Sequence, residues 1–324
     1  MSKKGKSARL DTMKPQKIVV VGASAGGIDA LRRLIAQFPA DFPGAVFITQ
    51  HLYERSESIL PRILAAASRL PAKHASAEEP ISPGHIYIAP PGYHLVLSPG
   101  IVTLGHGPKE NLQRPCINVM FRSAAASYGK DVIGVLLTGM LDDGASGLWE
   151  IKQQGGVTVV QDPEDAAYAS MPESAIHGFQ VDYILPISDM GPILETLVSG
   201  GVPVKSSEKS AEVPVPDTEC HQSCPECGGV MKETRLGQLY EYDCHIGHRF
   251  GLKTMIAEKT EMVERMISAA TAQTEELIGL LTRAQISGAS GHAHHLAKEI
   301  ESRKRQVQAL RELLTSSVSQ TLGS

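Results

Sequence analysis

Ser24, His51 and the adjacent pair Asp142 and Asp143 are the residue types of a nucleophile, a general base and the acid that orients it, and each follows an apolar run. Lys17-Ile-Val-Val-Val-Gly22 leads into Ala23-Ser24-Ala25-Gly26-Gly27. Ala45-Val-Phe-Ile-Thr-Gln50 leads into His51, and Asp131-Val-Ile-Gly-Val-Leu-Leu-Thr138 leads into Gly139-Met-Leu-Asp-Asp-Gly144. A serine hydroxyl is a poor nucleophile until a base takes its proton, and the imidazole in turn needs a carboxylate to orient it and stabilise its charged form. The chemistry expected is hydrolysis through a tetrahedral intermediate. By position alone, Asp142 and Asp143 are nearly equal candidates for the acid.

Gly22-Ala-Ser24-Ala-Gly26 fits the G-x-S-x-G elbow in its required setting of strand, sharp turn and helix. A helix starting near Gly27 aims unpaired N–H groups and its positive dipole end back at the site, which favours an oxyanion. The rival reading is a dinucleotide-binding turn, but Ser24 occupies the second glycine of G-x-G-x-x-G and no strand-end acid for a ribose is evident. The order Ser, His, Asp differs from the Ser, Asp, His order of α/β-hydrolases, so the elbow alone does not assign that family.

Three strand ends meet on one edge only in an open parallel sheet, whose ligands bind beyond the carboxyl ends of the strands. From Lys17 to about Val198, short buried-type strands alternate with helical patterns (Ile28–Gln37, Ser58–Ala67, Ile117–Tyr128, Gly147–Gln154, Asp189–Val198), which predicts an α/β, doubly wound, mainly parallel sheet with helices on both faces. His94–Leu97 and Ile101–Leu104 flank Ser98-Pro-Gly100 as an antiparallel hairpin. His85, His94 and His106, in or beside that hairpin, are expected at the surface. Residues 1–16 read as a disordered tail, 17–198 as the catalytic domain and 199–219 as a linker. Residues 220–251 read as a zinc-ribbon-like module and 252–324 as a helical hairpin or coiled coil.

The chain has 324 residues, 42% of them hydrophobic and 5% aromatic, which suits an α/β domain with a smaller companion. A net charge of −4 gives no nucleic-acid footprint. No apolar run spans a bilayer, and the basic N-terminus has no apolar stretch behind it, so a secretory signal is not expected. The cysteine usage points to a reducing, cytoplasmic setting.

Cys224-Pro-Glu-Cys227 and Cys244-His-Ile-Gly-His248 form two knuckles whose Cys224, Cys227, Cys244 and His248 supply four ligands for tetrahedral zinc. Cys220 and His245 are alternatives that break the compact spacing. Four filled positions make the zinc structural, and a ribbon this short draws its folding energy from the metal. The module is expected to melt on metal loss while sparing the Ser24 site. Beyond it, the stripes Leu252–Leu281 and Leu296–Leu314 pair as helices that bury little by themselves. They call for a second copy or another protein, or fold back on the catalytic domain.

Gly22–Gly27, Thr49-Gln-His51, Tyr87-Ile-Ala-Pro-Pro-Gly-Tyr-His94 and Leu137-Thr-Gly-Met-Leu-Asp-Asp-Gly-Ala145 together resemble the catalytic domain of bacterial chemotaxis protein-glutamate methylesterases. Phe121-Arg-Ser-Ala-Ala125, Met171-Pro172 and Ala175-Ile176 fit the same pattern. The resemblance, over about Lys17 to Val198, implies hydrolysis of glutamyl γ-methyl esters on chemoreceptor helices with release of methanol, and deamidation of receptor glutamines. It maps the triad onto Ser24, His51 and Asp143, with no cofactor for catalysis. It places backbone N–H groups near Ala25 and Met140 at the oxyanion, and puts Arg114 and Asn118 on the substrate side. Cys116 and Asn118 depart from the family's usual Ser and Asp. With so few residues before Lys17, the phosphate-receiver domain of the best-known members is not expected, while a cysteine-rich extension follows some stand-alone relatives. The competing reading is a non-catalytic signalling and binding module.

Overall fold

The computed structural model describes residues 17–54, 57–201, 215–287 and 293–321. The expected N-terminal tail, most of the expected linker and the side chain of Cys220 lie outside them. Residues up to Met255 form one compact unit and those from Ile256 another.

In the first unit the chain runs β1 (Ile18–Ala23), α1 (Gly27–Ile35), β2 (Ala45–Gln50), α2 (Leu60–Ala67), β3 (Ala72–His74), β4 (Glu79–Pro80), β5 (Ile86–Ile88), β6 (His94–Ser98) and β7 (Ile101–Gly105). It continues through α3 (Ile117–Tyr128), β8 (Val132–Leu136), α4 (Ala145–Gln153), β9 (Val157–Gln161), α5 (Ser170–Gly178), β10 (Tyr183–Leu185) and α6 (Ile187–Val198). Seven strands make one sheet in the order β10-β9-β8-β1-β2-β5-β3, and every pairing in it is parallel. Alternate residues of each strand enter opposite layers. Val19, Val21, Val46, Ile48, Ile133 and Val135 pack under α1, α2 and α6. Ile18, Val20, Phe47, Tyr87, Val132 and Leu136 pack under α3, α4 and α5. Burial on both faces is why these strands read as continuous apolar runs rather than alternating ones.

The doubly wound sheet is therefore as expected. The hairpin β6–β7 is antiparallel, with β4 added at its edge. His94 is not at the surface: it is buried, and its Nε2–H donates to the Pro108 carbonyl at 2.9 Å. Helix α5 is an element the sequence pattern did not announce. Its Pro172 sits in the first turn, where a missing N–H breaks no helical bond.

The cysteine segment forms an antiparallel sheet, β11 (Val215–Ser223), β12 (Val230–Leu236), β13 (Leu239–Cys244) and β14 (Arg249–Gly251), in that order. Its small core of Cys224, Met231, Tyr242, Cys244, Phe250 and Met255 also receives Leu112 from the α/β portion. In the second unit, α7 (Leu252–Ile286, beginning in the first unit) and α8 (Ala293–Thr321) are joined by an Arg311–Glu275 ion pair at 2.6 Å. Ile300 and Val307 are buried, whereas Val263, Met266, Leu280 and Leu313 are exposed.

Candidate active site and metal centre

Strand β1 lies at the centre of the sheet, with β2 on one side and β8 on the other. The crevice beyond their carboxyl ends is the place such sheets bind ligands. Backbone bonds stitch the three ends together: Ser24 N–H donates to Thr138 O at 3.0 Å, His51 N–H to Ala23 O at 3.2 Å and Leu137 N–H to Gly22 O at 2.9 Å. Gly26, with φ at +73°, lets the chain turn from strand into α1 and leaves Ser24 only half-buried. Thr138 Oγ1 donates to the Ala25 carbonyl at 3.0 Å, fixing the loop after β8 against the elbow.

Ser24 Oγ lies 2.9 Å from His51 Nδ1, and His51 Nε2 lies 2.7 Å from Asp143 Oδ2. With its proton on Nε2 donated to Asp143, the ring turns a free lone pair on Nδ1 toward the serine hydroxyl. The geometry separates the two acids. Asp143 faces His51, while Asp142 points away and accepts the N–H of Lys253 at 2.7 Å and the hydroxyl of Thr254 at 2.6 Å.

Asp143 is almost fully buried. Burial alone would raise its pKa, but the hydrogen bond and charge of His51, the Cys116 thiol and the Ile117 N–H hold it down at about 2. Oδ2 also accepts Ile117 N–H at 2.8 Å. Oδ1 accepts Asn111 Nδ2–H at 3.0 Å, the Cys116 thiol at 3.1 Å, Gly144 N–H at 3.0 Å and Asn118 N–H at 3.3 Å. A carboxylate so surrounded by donors stays ionised. Burial and the neighbouring carboxylate push the Cys116 thiol well up, so it remains a thiol that donates. Asp142, in contrast, is raised by burial, against the pull of its bonds to Thr254 and Lys253.

The expected substrate-side residues divide. Asn118 is buried, and its Oδ1 accepts the N–H groups of Gly144 and Gly147, both at 2.9 Å. From inside the fold it braces the start of α4. Arg114 is partly exposed, donating to Gly107 O at 2.8 Å and pairing with Glu54 at 3.0 Å. Met140 is 57% exposed on the loop after β8.

Asn111 was not singled out from the sequence. It is buried, has φ at +49° and links Asp143 to the cysteine module. Its own N–H donates to Arg249 O at 2.7 Å, and its Oδ1 accepts Gly251 N–H at 2.8 Å. Asparagine's tolerance of left-handed backbone is the sole sequence signal for such a residue, and it marks many ordinary turns as well.

The ligand atoms of Cys224, Cys227, Cys244 and His248 all lie within 4.8 Å of one another. Cys227 Sγ–Cys244 Sγ is 3.7 Å, and His248 Nδ1 is 3.6 Å from the sulfurs of both Cys224 and Cys244. Tetrahedral zinc with Zn–S near 2.3 Å requires edges of about 3.8 Å between sulfurs. The four groups therefore fit a metal ion of that size. Exposed His245 does not belong to the cluster.

A protein-family model described as CheB methylesterase matches residues 19–194. A putative protein-glutamate methylesterase/protein-glutamine glutaminase of Leptospira interrogans is 40% identical over 176 residues, 54% of this chain and 91% of that protein. Protein-glutamate methylesterase/protein-glutamine glutaminase 1 of Geobacter metallireducens is 39% identical over 179 residues. There the match spans 54% of this chain and about half, 49%, of the relative's length. The crystal structure of the Thermotoga maritima CheB methylesterase catalytic domain superposes with a TM-score of 0.54 at 34% identity, covering 56% of this chain and 98% of that one. With more than half of its 324 residues matched by that model, this chain belongs to the CheB methylesterase family.

Proposed function

We propose that this protein is a protein-glutamate methylesterase that hydrolyses glutamyl γ-methyl esters on chemoreceptor helices, and that the same site deamidates receptor glutamines. The observation that carries the reading is the Ser24–His51–Asp143 line, 2.9 and 2.7 Å, at the centre of the parallel sheet's carboxyl edge. Ser24 Oγ attacks the ester carbonyl while His51 Nδ1 takes its proton, and Asp143 stabilises the resulting imidazolium. The tetrahedral oxyanion meets backbone N–H groups near Ala25 and Met140, helped by the N-terminus of α1. Collapse of the intermediate passes the proton from His51 to the leaving methoxide, which departs as methanol, or to the leaving amide nitrogen of a glutamine, which departs as ammonia. Water then attacks the acyl-enzyme with His51 again as base. Arg114 belongs to the substrate side.

A protein substrate suits the rim of the site. Tyr53, Tyr93, Met140 and Tyr168 are exposed on loops that leave the carboxyl ends of the strands. Zinc is the metal assigned to Cys224, Cys227, Cys244 and His248, where it would hold the knuckles together and take no part in the acyl chemistry. The C-terminal helices, with Val263, Met266, Leu280 and Leu313 exposed, are assigned to self-association or a protein partner. No described helix is long and apolar enough to cross a membrane, and the free thiols of the cluster suit a cytoplasmic location. Methanol release from methylated receptor tests the reading. Wild type should release it and Ser24→Ala should not, and equal rates would end the proposal.

A further inference from the structure

Most donors to Asp143 come from its own loop or from the start of α3. Asn111 differs in reaching beyond the α/β sheet. Its Oδ1 accepts Gly251 N–H and its backbone N–H donates to Arg249 O, so both ends of β14 hold it. That contact decides the sense of the amide: with the oxygen committed to Gly251, the NH2 must face Asp143. Were the amide to turn over, it would set an oxygen against a carboxylate. Strand β14 starts at the residue after His248, one of the four cluster ligands, and pairs with β13 over only Glu241↔Gly251, Tyr242↔Phe250 and Asp243↔Arg249. The turn closed by Cys244 and His248, with Cys244 N–H on His248 O at 3.1 Å, is what brings β14 back alongside β13. The following residues, Lys253 and Thr254, tie the same segment to Asp142.

We infer that Asn111 is a positioning residue for Asp143, oriented by β14, and that closure of the Cys224–Cys227–Cys244–His248 cluster therefore sets how firmly the acid of the triad is held. On this inference the cysteine module is a working part of the esterase site, and its melting on metal loss would not spare Ser24, contrary to what the sequence alone leads one to expect. This rests on the esterase reading of Ser24. Because a misaligned carboxylate matters most once His51 becomes an imidazolium, the effect falls on the transition state and not on substrate binding.

The test uses the full-length, metal-loaded protein and two variants. Asn111→Gly keeps the left-handed backbone and deletes the bridge. Asn111→Asp keeps an acceptor for Gly251 but turns an oxygen toward Asp143. Readouts are the labelling rate of Ser24 by a fluorophosphonate, kcat and KM for methanol release, and the melting temperature. Both variants should lose roughly 10- to 100-fold in kcat and labelling, the range seen when orienting partners are removed elsewhere, with KM nearly unchanged and the melting temperature lowered by several degrees, since a buried hydrogen bond to Asp143 is lost in each. In an Asp143→Asn background, Asn111→Gly should lower labelling no further, whereas a purely structural role would be additive. Chelation should slow labelling of wild type and leave Asn111→Gly at its already reduced rate. Wild-type labelling in Asn111→Gly, additivity with Asp143→Asn, or chelated wild type labelling at the holo rate would each overturn the inference. A wild type that is never labelled would instead refute the esterase reading on which it stands.

Discussion

Replacing Asp143 by asparagine preserves the side chain's shape and removes one charge and one acceptor. Four donors converge on Oδ1 and two on Oδ2. The amide keeps one oxygen, which takes the four-donor corner because an NH2 there would face nothing but donors. The NH2 then meets His51 and the Ile117 N–H. His51 must accept at Nε2, so its proton moves to Nδ1 and points at Ser24 Oγ, where it blocks proton abstraction. The same tautomer error in a serine protease lowers kcat by about 10⁴-fold, and a loss of that order is expected here. The buried Ile117 N–H loses its acceptor at a cost of about 1–3 kcal/mol, lowering the melting temperature by several degrees. Asp142→Asn retains an acceptor for the Thr254 hydroxyl and weakens only the cap on α7, costing about 1 kcal/mol with little change in rate. Methanol release and fluorophosphonate labelling on both variants decide the matter. An Asp143→Asn enzyme retaining more than about a tenth of wild-type rate would refute the tautomer argument, as would an Asp142→Asn enzyme that fell equally far.

The depressed pKa of Asp143, about 2 against an ordinary 3.8, makes it a source of acid lability. Its stabilisation is fully present above the unfolded value and disappears as pH falls through the folded one. The stability gap between wild type and Asp143→Asn should therefore shrink by about 2 kcal/mol between pH 5 and pH 2, and a pH-independent gap in denaturant titrations would contradict this. Cys244→Ser should abolish the single bound zinc, measured by a chromophoric chelator, and unfold the four-stranded sheet; full retention of metal would defeat the ligand assignment. In Gly251→Ala the new Cβ would lie 2.4 Å from Asp142 Oδ2, a carboxylate already pinned by Lys253 and Thr254. A loss of about 1–3 kcal/mol is expected by thermal melting, and an unperturbed variant would mean the segment is loosely held.

The parallel sheet and the three strand ends were legible because buried strands must be apolar on both faces and because a serine elbow needs its glycines. Choosing Asp143 over Asp142 by position was not possible: both follow the same strand, and what separates them is Thr254, more than a hundred residues away in the chain. The burial of His94 and Asn118 was not legible for a related reason. A polar residue looks exposed until its partners are known, and theirs are backbone groups of Pro108, Gly144 and Gly147, which carry no side-chain signature. The metal knuckles were readable because ligand spacing is local. Their connection to the triad was not, because it runs through the backbone of Arg249 and Gly251 and one asparagine.

Two neighbouring carboxylates, back to back on one loop, mark where the recognisable family region and the physical machine part company. The family model's match ends at residue 194, yet the groups that satisfy Asp142 and complete the setting of Asp143 are contributed by Arg249–Thr254. A fragment cut at the similarity boundary would keep every triad residue. It would also leave Asp142 without the N–H groups and hydroxyl that now meet it, Asn111 free to turn over, and Leu112 stripped of its apolar cover. For this protein the smallest self-sufficient unit around the triad is expected to run to the first turn of the long helix, well past the end of the family model's match.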